Sequence, residues 1–136
     1  KVGCTAMKKE TLTKSEHEIM NLLWHVDKPL TASEIIEQST DKTWKDSYIH
    51  LLINSLLDKE MIRAEGFAKT TKNYARTFVA AVSEETYAVQ QIAGQKPLST
   101  LSVVSIVSAL IDQAADQAAL IDALEAMLVE KRKTVL

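Results

Sequence analysis

A cluster of cations in the middle of the chain suits contact with a polyanion. Residues 42–76 hold seven Lys/Arg and four Asp/Glu, a net charge of +3, whereas the whole chain carries −2. Lysine and arginine side chains neutralise phosphates, and each phosphate contact adds about 0.9 to the salt dependence of binding. The cations that we predict to contact phosphates are Lys42, Lys45, Lys69, Lys72 and Arg76.

Polar and apolar side chains between these cations are candidates for reading DNA bases. Asparagine pairs with adenine, an apolar side chain can contact a thymine methyl group, and hydroxyl groups bond phosphates or base edges. The alternative is an ordinary solvated surface or a contact with a protein. The candidates are Thr43, Ser47, Tyr48, His50, Leu51 and Asn54.

Residues that would support catalysis or bind a metal are scarce. The three histidines, His17, His25 and His50, lack neighbouring cysteine or carboxylate ligands at the spacing of a metal site. The single Cys4 excludes an internal disulfide. The sequence shows no Ser/His/Asp set and no glycine-rich phosphate loop. We therefore predict no enzyme, no metal and no cofactor, in a protein that resides in the cytoplasm.

Two capping boxes begin the helices that must position the candidate residues. Thr13 with Glu16 begins a first helix after Leu12, and Thr31 with Glu34 begins a short second helix at about 32–39. A polar turn separates the second helix from a third, at roughly 45–59. The third helix has one buried stripe and an outward face of Ser47, Leu51, Asn54, Ser55 and Asp58, and its stripe is Ile49, Leu52, Ile53, Leu56 and Leu57.

Two strand-like segments follow the third helix. Residues 61–67 and 73–82 are rich in β-branched and aromatic side chains near their ends, and 68–72 form a polar tip between them. Two strands alone are marginally stable, so this hairpin must pack on the helices. The predicted fold is mainly α with a small β-hairpin wing, that is, a winged helix-turn-helix. The second helix of a helix-turn-helix, which corresponds to the third predicted helix of this chain, enters the major groove of DNA.

The C-terminal part predicts a self-association region. Helices are expected from Ser83, at about 98–112 and from about Asp116. The apolar run 98–111 spans 14 residues, too short for the roughly 20 that cross a bilayer, so no membrane insertion is predicted. These helices carry more apolar surface than they can bury on each other, which indicates a homodimer. The predicted interface comprises Tyr87, Ile92, Leu98, Leu101, Val104, Ser105, Ser108, Ile111, Leu120, Leu124 and Leu128. The predicted division is a tail or expression remnant at 1–7, a winged-helix domain at 8–82 and a helical dimerisation region at 83–136.

A series of segments in register resembles the penicillinase-repressor (BlaI/MecI/CopY) family. The segments are LTKSEHEIMNLLW, LTASEIIEQ, the TW that opens the third helix, LLINSLLDKEMI, the tyrosine–phenylalanine hairpin and FVAAVSEETY. The resemblance covers about residues 12–131. It implies a dimeric winged-helix repressor that binds a palindromic double-stranded DNA operator through its N-terminal domain and dimerises through C-terminal helices. It also implies a membrane sensor/protease pathway that acts on the repressor indirectly.

Three features depart from the family pattern. The family usually places threonine and basic residues along the outer face of the third helix, where this chain has Tyr48, His50, Leu51 and Ser55. The copper-sensing branch carries C-terminal cysteine pairs, and this chain has only Cys4. Family members that are released by proteolysis are cut at an Asn-Phe bond, which is absent here. The first departure leaves a second function open, a winged-helix module that binds proteins with weak or no affinity for DNA.

Overall fold

The structure is a computed structural model that describes residues 11–94 and 97–135 of the 136-residue chain. The chain divides into two compact units, residues 1–95 and 96–136. The predicted tail at 1–7, with Cys4, lies outside the described residues.

The three N-terminal helices of the first unit begin as their capping residues require. They are α1 (Lys14–His25), α2 (Ala32–Gln38) and α3 (Ile49–Asp58). The hydroxyls of Thr13 and Thr31 accept hydrogen bonds from the backbone N–H three residues on, of Glu16 and Glu34. Each glutamate carboxylate in turn accepts the cap N–H, at 2.9 Å and 2.8 Å. Both predicted capping boxes are therefore confirmed.

Helix α3 starts later than its sequence suggested. We predicted a helix at roughly 45–59, but residues Asp46–Tyr48 form a 3-10 turn and regular α-helix begins at Ile49. The reason is local, because no side chain caps the turn at Lys45 and Tyr48 N–H bonds the Lys45 carbonyl three residues back at 2.8 Å. Such tight turns commonly precede α-helices. The turn keeps Ser47 and Tyr48 exposed immediately before α3.

A three-stranded antiparallel sheet completes the first unit. The hairpin strands are β2 (Ile62–Lys69) and β3 (Tyr74–Ala80), a close match to the prediction. A two-residue strand, β1 (Leu30–Thr31), was not predicted and pairs with β3, giving the order β1-β3-β2. Too short for a strand pattern, β1 is recognisable only through its pairing with Phe78 and Thr77. The core joins this sheet to the helices through buried Ile19, Met20, Leu23, Leu30, Ile35, Trp44, Ile49, Ile53, Leu56, Met61, Ile62 and Phe78.

An irregularity in β2 depends on Gly66. The register shifts between Ala64 and Phe67, where Gly66 has a φ of +84°. The Thr77 hydroxyl spans the irregularity by donating to the Glu65 carbonyl at 2.6 Å. A bulge of this kind bends and twists the bulged strand, and so sets the direction of the outer half of the hairpin.

Replacing Gly66 by alanine should lower the free energy of unfolding by about 1 kcal/mol. A Cβ at this position would meet nothing closer than the Thr77 hydroxyl at 4.0 Å, so the cost comes from the positive φ rather than from a clash. Urea unfolding followed by circular dichroism measures it. Gly66→Asn is the control, because asparagine tolerates positive φ better and should cost less. Equal stability of the wild type and the alanine variant would contradict the prediction.

The fourth helix, α4 (Glu84–Ala93), packs against α1 within the first unit. The Tyr87 ring lies 5.8 Å from the Trp24 ring, and its hydroxyl accepts the Leu12 N–H at 3.3 Å. The Trp24 indole donates to the Val82 carbonyl at 2.8 Å just before α4. Tyr87, predicted to lie in a dimer interface, is thus half-buried against its own chain. Its role between two copies, and the grouping of α4 with the dimerisation region, stay predictions.

The second unit consists of two helices, α5 (Thr100–Gln113) and α6 (Gln117–Val135). Ser99 caps α5, and the Asp116 carboxylate accepts the Ala119 N–H at 3.0 Å at the start of α6. The two helices pack on each other, yet none of residues 97–135 is buried. Over the described part of the chain, no helix is both long and apolar enough to cross a membrane.

Candidate nucleic-acid interface

The outer face of α3 and of the turn before it presents five of the predicted base-reading residues together. Leu51 is 68% exposed and Tyr48 51% exposed, while Ile49, Ile53 and Leu56 hold the opposite face in the core. We call this exposed group the α3 face, and it comprises Ser47, Tyr48, His50, Leu51 and Asn54. It holds hydrogen-bonding groups and one apolar side chain but no lysine or arginine.

Ser55 does not belong to the α3 face. We predicted that it would point outward, but its side chain is half-buried and its hydroxyl donates to the Glu16 carboxylate of α1. At about 100° per residue, Ser55 lies on the flank of α3 rather than directly opposite the buried stripe. The hydrogen bond to Glu16 on α1 determines the direction of the Ser55 side chain.

The segment that leads into α3 is held to the protein by its polar side chains. Thr43 donates from its N–H and its hydroxyl to the two Glu18 carboxylate oxygens, at 3.0 Å and 2.9 Å. The Lys42 ammonium lies 2.9 Å from the Asp46 carboxylate and 5.5 Å from the centre of the Trp44 ring. Lys42 and Thr43, both predicted to contact DNA, are therefore engaged within the protein. Their role in binding stays a prediction.

Trp44, immediately before the turn that leads into α3, is part of the core. The side chain is 6% exposed, and the flat ring supports the Lys42 ammonium on one side. Among the residues that the structure describes, its indole nitrogen finds no hydrogen-bond partner. Lys45, immediately after it, is exposed and takes part in none of the ion pairs found within residues 11–94 and 97–135.

The hairpin carries the remaining predicted cations. Lys69 ends β2, Lys72 lies in the turn and Arg76 lies on β3, and all three are exposed. The turn is closed by a hydrogen bond from Thr70 N–H to the Asn73 carbonyl at 2.6 Å. No acidic side chain among the described residues forms an ion pair with any of the three. Their charge is therefore available to a ligand.

A buried ion pair that was not predicted from the sequence holds α3 against α1. Glu16 is 2% exposed, and its carboxylate accepts from the Lys59 ammonium at 2.6 Å and from the Ser55 hydroxyl. Lys59 follows the last turn of α3 and also donates to the Thr11 carbonyl at 3.1 Å. The burial of Glu16 could have been predicted from the sequence. Glu16 is spaced three, four and seven residues before Ile19, Met20 and Leu23, which form the buried stripe of α1.

Burial and hydrogen bonding act in opposite directions on Glu16. Burial raises the pKa of this carboxyl. The hydrogen bonds from Lys59, Ser55 and Thr13 N–H, together with the Lys59 charge, lower the pKa by more than burial raises it. The net result is a pKa below the ordinary value of a glutamate. Glu16 is therefore ionised at neutral pH and acts as a structural anion beneath α3.

The predicted dimer residues differ in how far their own chain covers them. Ile111, Leu120 and Leu124 are half-buried in the α5–α6 pair. Ile92 on α4 is 46% exposed. The remaining members are exposed: Leu98, Leu101, Val104, Ser105, Ser108 and Leu128. The exposed members are available to a partner, and their assignment to an interface stays a prediction.

No metal-binding cluster is found among the residues that the structure describes. Within 11–94 and 97–135, no group of three or more His, Cys, Asp or Glu side chains could hold a metal ion. His17 instead contacts aromatic rings, lying 5.9 Å from Trp24 and 6.1 Å from Tyr87. The nitrogen atoms of His25 lie 2.7 Å from the Asn21 carbonyl and 3.7 Å from the Glu84 carboxylate.

Three N-terminal helices followed by a β-hairpin wing, with the second and third helices in helix-turn-helix order, define a winged-helix domain. Residues 12–130 match the model of the penicillinase repressor family, and the chain belongs to that family. The resemblance inferred from the sequence, over about residues 12–131, is therefore confirmed for residues 12–130. No curated protein matches the chain.

The solved structures that match the chain include two kinds of bacterial regulator. The ferric uptake regulator Fur of Helicobacter pylori is 23% identical with a TM-score of 0.39, and the match covers 52% of this chain and 47% of Fur. ZitR of Lactococcus lactis, a zinc-responsive MarR family member, is 20% identical with a TM-score of 0.39, covering 90% of this chain and 77% of ZitR. A single-residue mutant of ZitR gives 17% identity and a TM-score of 0.41, covering 88% of this chain and 75% of the mutant. This chain spans about half the length of Fur, and nothing about its ligands follows from matches of this size.

Proposed function

We propose that this protein is a cytoplasmic transcriptional repressor that binds a palindromic operator as a homodimer and blocks transcription. The observation that carries the proposal is the combination, in one domain, of an exposed α3 face with three wing cations that form no ion pair within residues 11–94 and 97–135. Family membership supports it, because penicillinase repressors regulate transcription. The α3 face would enter the major groove, where Asn54 bonds a base edge and Leu51 contacts a thymine methyl group.

Charge on the wing would supply much of the affinity in this proposal. Lys69, Lys72 and Arg76 carry no intramolecular partner among the described residues, so binding phosphates costs them no existing ion pair. Lys45 adds a further exposed cation before α3. Asp46 would repel phosphates least while it is paired with Lys42. Affinity would therefore depend steeply on salt.

A homodimer follows in this proposal from the second unit. Its two helices contain no buried residue within 97–135. Large apolar side chains are exposed on them, with Leu101 79% exposed and Leu128 60% exposed. A unit of this size rarely holds a stable core alone, and oligomerisation is the usual remedy. We infer that the partner is a second copy of this chain, because closed two-fold dimers are the commonest soluble oligomers. The two winged-helix domains of such a dimer, each of which we call a reading head, are related by two-fold symmetry and therefore require a palindromic site.

The test is operator binding across a salt series. The full chain is titrated with DNA from its own promoter region by fluorescence anisotropy, alongside a Lys69→Ala/Lys72→Ala variant. Four phosphate contacts disappear from the dimer, so the salt slope should fall by about 3–4. A Lys14→Ala/Lys28→Ala variant is the charge-matched control, because both lysines are exposed and lie outside the predicted interface. Absent or salt-insensitive binding of the wild type to every candidate operator would overturn the proposal.

A second candidate function is a winged-helix module that binds a protein. The α3 face favours it, because that face lacks lysine and arginine and presents a largely exposed Leu51. This candidate predicts that DNA affinity does not respond to the Lys69→Ala/Lys72→Ala change. It also predicts that capture of a protein partner is lost in Leu51→Ala. The same two variants therefore separate the functions.

A further inference from the structure

The hairpin presents a face on which aromatic and cationic side chains alternate. The register pairs Phe67 with Arg76 and Lys69 with Tyr74. Directly paired residues point to the same side of a sheet, and so do residues two apart on a strand. All four side chains therefore share one face, with each ring opposite a cation. We call these four residues the wing face.

The wing face is exposed although half of it is aromatic. Phe67 is 70% exposed and Tyr74 66% exposed. Phe78, two residues beyond Arg76 on the same side of β3, is buried in the core. The Arg76 guanidinium lies 5.2 Å from the centre of the Phe78 ring, which links the wing face to the domain core. The side of the sheet that packs on the helices thus continues outward as the wing face.

No ion pair within residues 11–94 and 97–135 neutralises the wing face. The nearest acid on β2, Glu65, lies 2.9 Å from the Arg63 guanidinium instead. A protein ligand with an apolar patch would leave Lys69 and Arg76 without anionic partners. A polyanion that also offers apolar groups between its charges matches all four side chains. The sugar–phosphate backbone of DNA has this chemistry, since each phosphate is followed by a deoxyribose.

We propose that the wing face binds the sugar–phosphate backbone of duplex DNA, with Lys69 and Arg76 on phosphates and Phe67 and Tyr74 packed on deoxyribose. This proposal rests on the proposed function. It adds the contacts of Phe67 and Tyr74 to the phosphate contacts of the wing cations. Contacts with sugar and phosphate position a protein without reading sequence. Apolar packing releases no condensed counterions, so it leaves the salt slope unchanged.

These two properties give the aromatic contacts a signature of their own. In the full chain, Phe67→Ala/Tyr74→Ala should weaken binding to the operator by about 10-fold or more, because two aromatic rings lose the apolar surface that they bury on the sugars. The same factor is expected for a random duplex of equal length, and the salt slope should equal that of the wild type. Phe67→Tyr/Tyr74→Phe keeps both rings and should bind as the wild type does. Val89→Ala, at an exposed apolar site on α4, is the control for loss of apolar surface.

Each other outcome overturns the proposal in a distinct way. Unchanged affinity of the alanine variant, beside wild-type binding, would overturn the wing-face contacts and leave the proposed function standing. A loss confined to the operator would mean base reading rather than sugar packing. A change in sedimentation of the variant would mean that the wing face contacts a second copy. Failure of the wild type to bind any duplex would instead refute the proposed function itself. Thermal unfolding of each variant confirms that it is folded.

Discussion

Glu16→Gln should lower the free energy of unfolding by about 3 kcal/mol at pH 7, because it removes the anion of a buried ion pair. Glu16 is 2% exposed, and its carboxylate accepts from the Lys59 ammonium, the Ser55 hydroxyl and the Thr13 N–H. Glutamine fits the same space but leaves the Lys59 charge unpaired. The cost lies at the low end of the range for broken buried pairs, since the Lys59 side chain retains some exposure.

Glu34→Gln is the matched control for this change. Glu34 occupies the same position in the capping box of α2 and accepts its cap N–H at 2.8 Å. It takes part in no ion pair within the described residues. A change of glutamate to glutamine at this site therefore tests the cap without the buried pair, and should cost less than about 1 kcal/mol. Equal losses at the two sites would contradict the role assigned to Lys59.

The pH dependence of stability should differ between Glu16→Gln and the wild type. The pKa of Glu16 is lower in the folded state than its ordinary value. The folded state thus takes up this proton at lower pH than the unfolded chain does. The stabilisation is full above the ordinary pKa of a glutamate and is lost as pH falls through the lower folded pKa. Urea unfolding from pH 7 to pH 3 should give a gap between the two proteins that closes on acidification. A gap that stays constant would contradict the assignment.

The same contacts show why α3 could be predicted only in part. The spacing of Ile49, Ile53 and Leu56 defines a buried stripe, and the structure places those three in the core. Ser55 and Lys59, four residues apart, lie on the flank of that stripe, where periodicity does not determine burial. Their direction depends on Glu16, which is 39 residues from Ser55 along the chain. Local pattern identifies the stripe, but the partner of a flanking residue follows from tertiary packing.

The candidate interface was predictable where it depends on exposure and less so where it depends on pairing. The residues of the α3 face and the wing cations are exposed, as the helix period and the hairpin implied. Lys42 and Thr43 are engaged by Asp46 and Glu18. Glu18 lies on α1, and a contact between elements 25 residues apart leaves no signal in the sequence around Thr43. The wing face was also missed, because its alternation of rings and cations appears only in the register of two strands.

Disrupting the second unit should reduce operator affinity more than any single contact in the reading head. In a Leu101→Glu/Leu128→Glu variant, the two altered side chains are exposed in a single copy, so the packing of α5 on α6 survives. In a dimer the new carboxylates would be buried without partners, which opposes association. Sedimentation should show a monomer for the variant and the proposed dimer for the wild type.

Loss of the dimer removes the linkage between two reading heads. When one head is bound, the other is held near its half-site at an effective concentration in the millimolar range, and such linkage raises affinity by about 10²–10⁴. The variant should therefore bind a palindromic operator at least about 100-fold more weakly. It should bind a single half-site as the wild type does, because the α3 face and the wing are unaltered. Val135→Glu places one such carboxylate at an exposed site outside the predicted interface and should leave both properties unchanged. A wild-type monomer, or full operator affinity in a monomeric variant, would refute the dimer as the source of affinity.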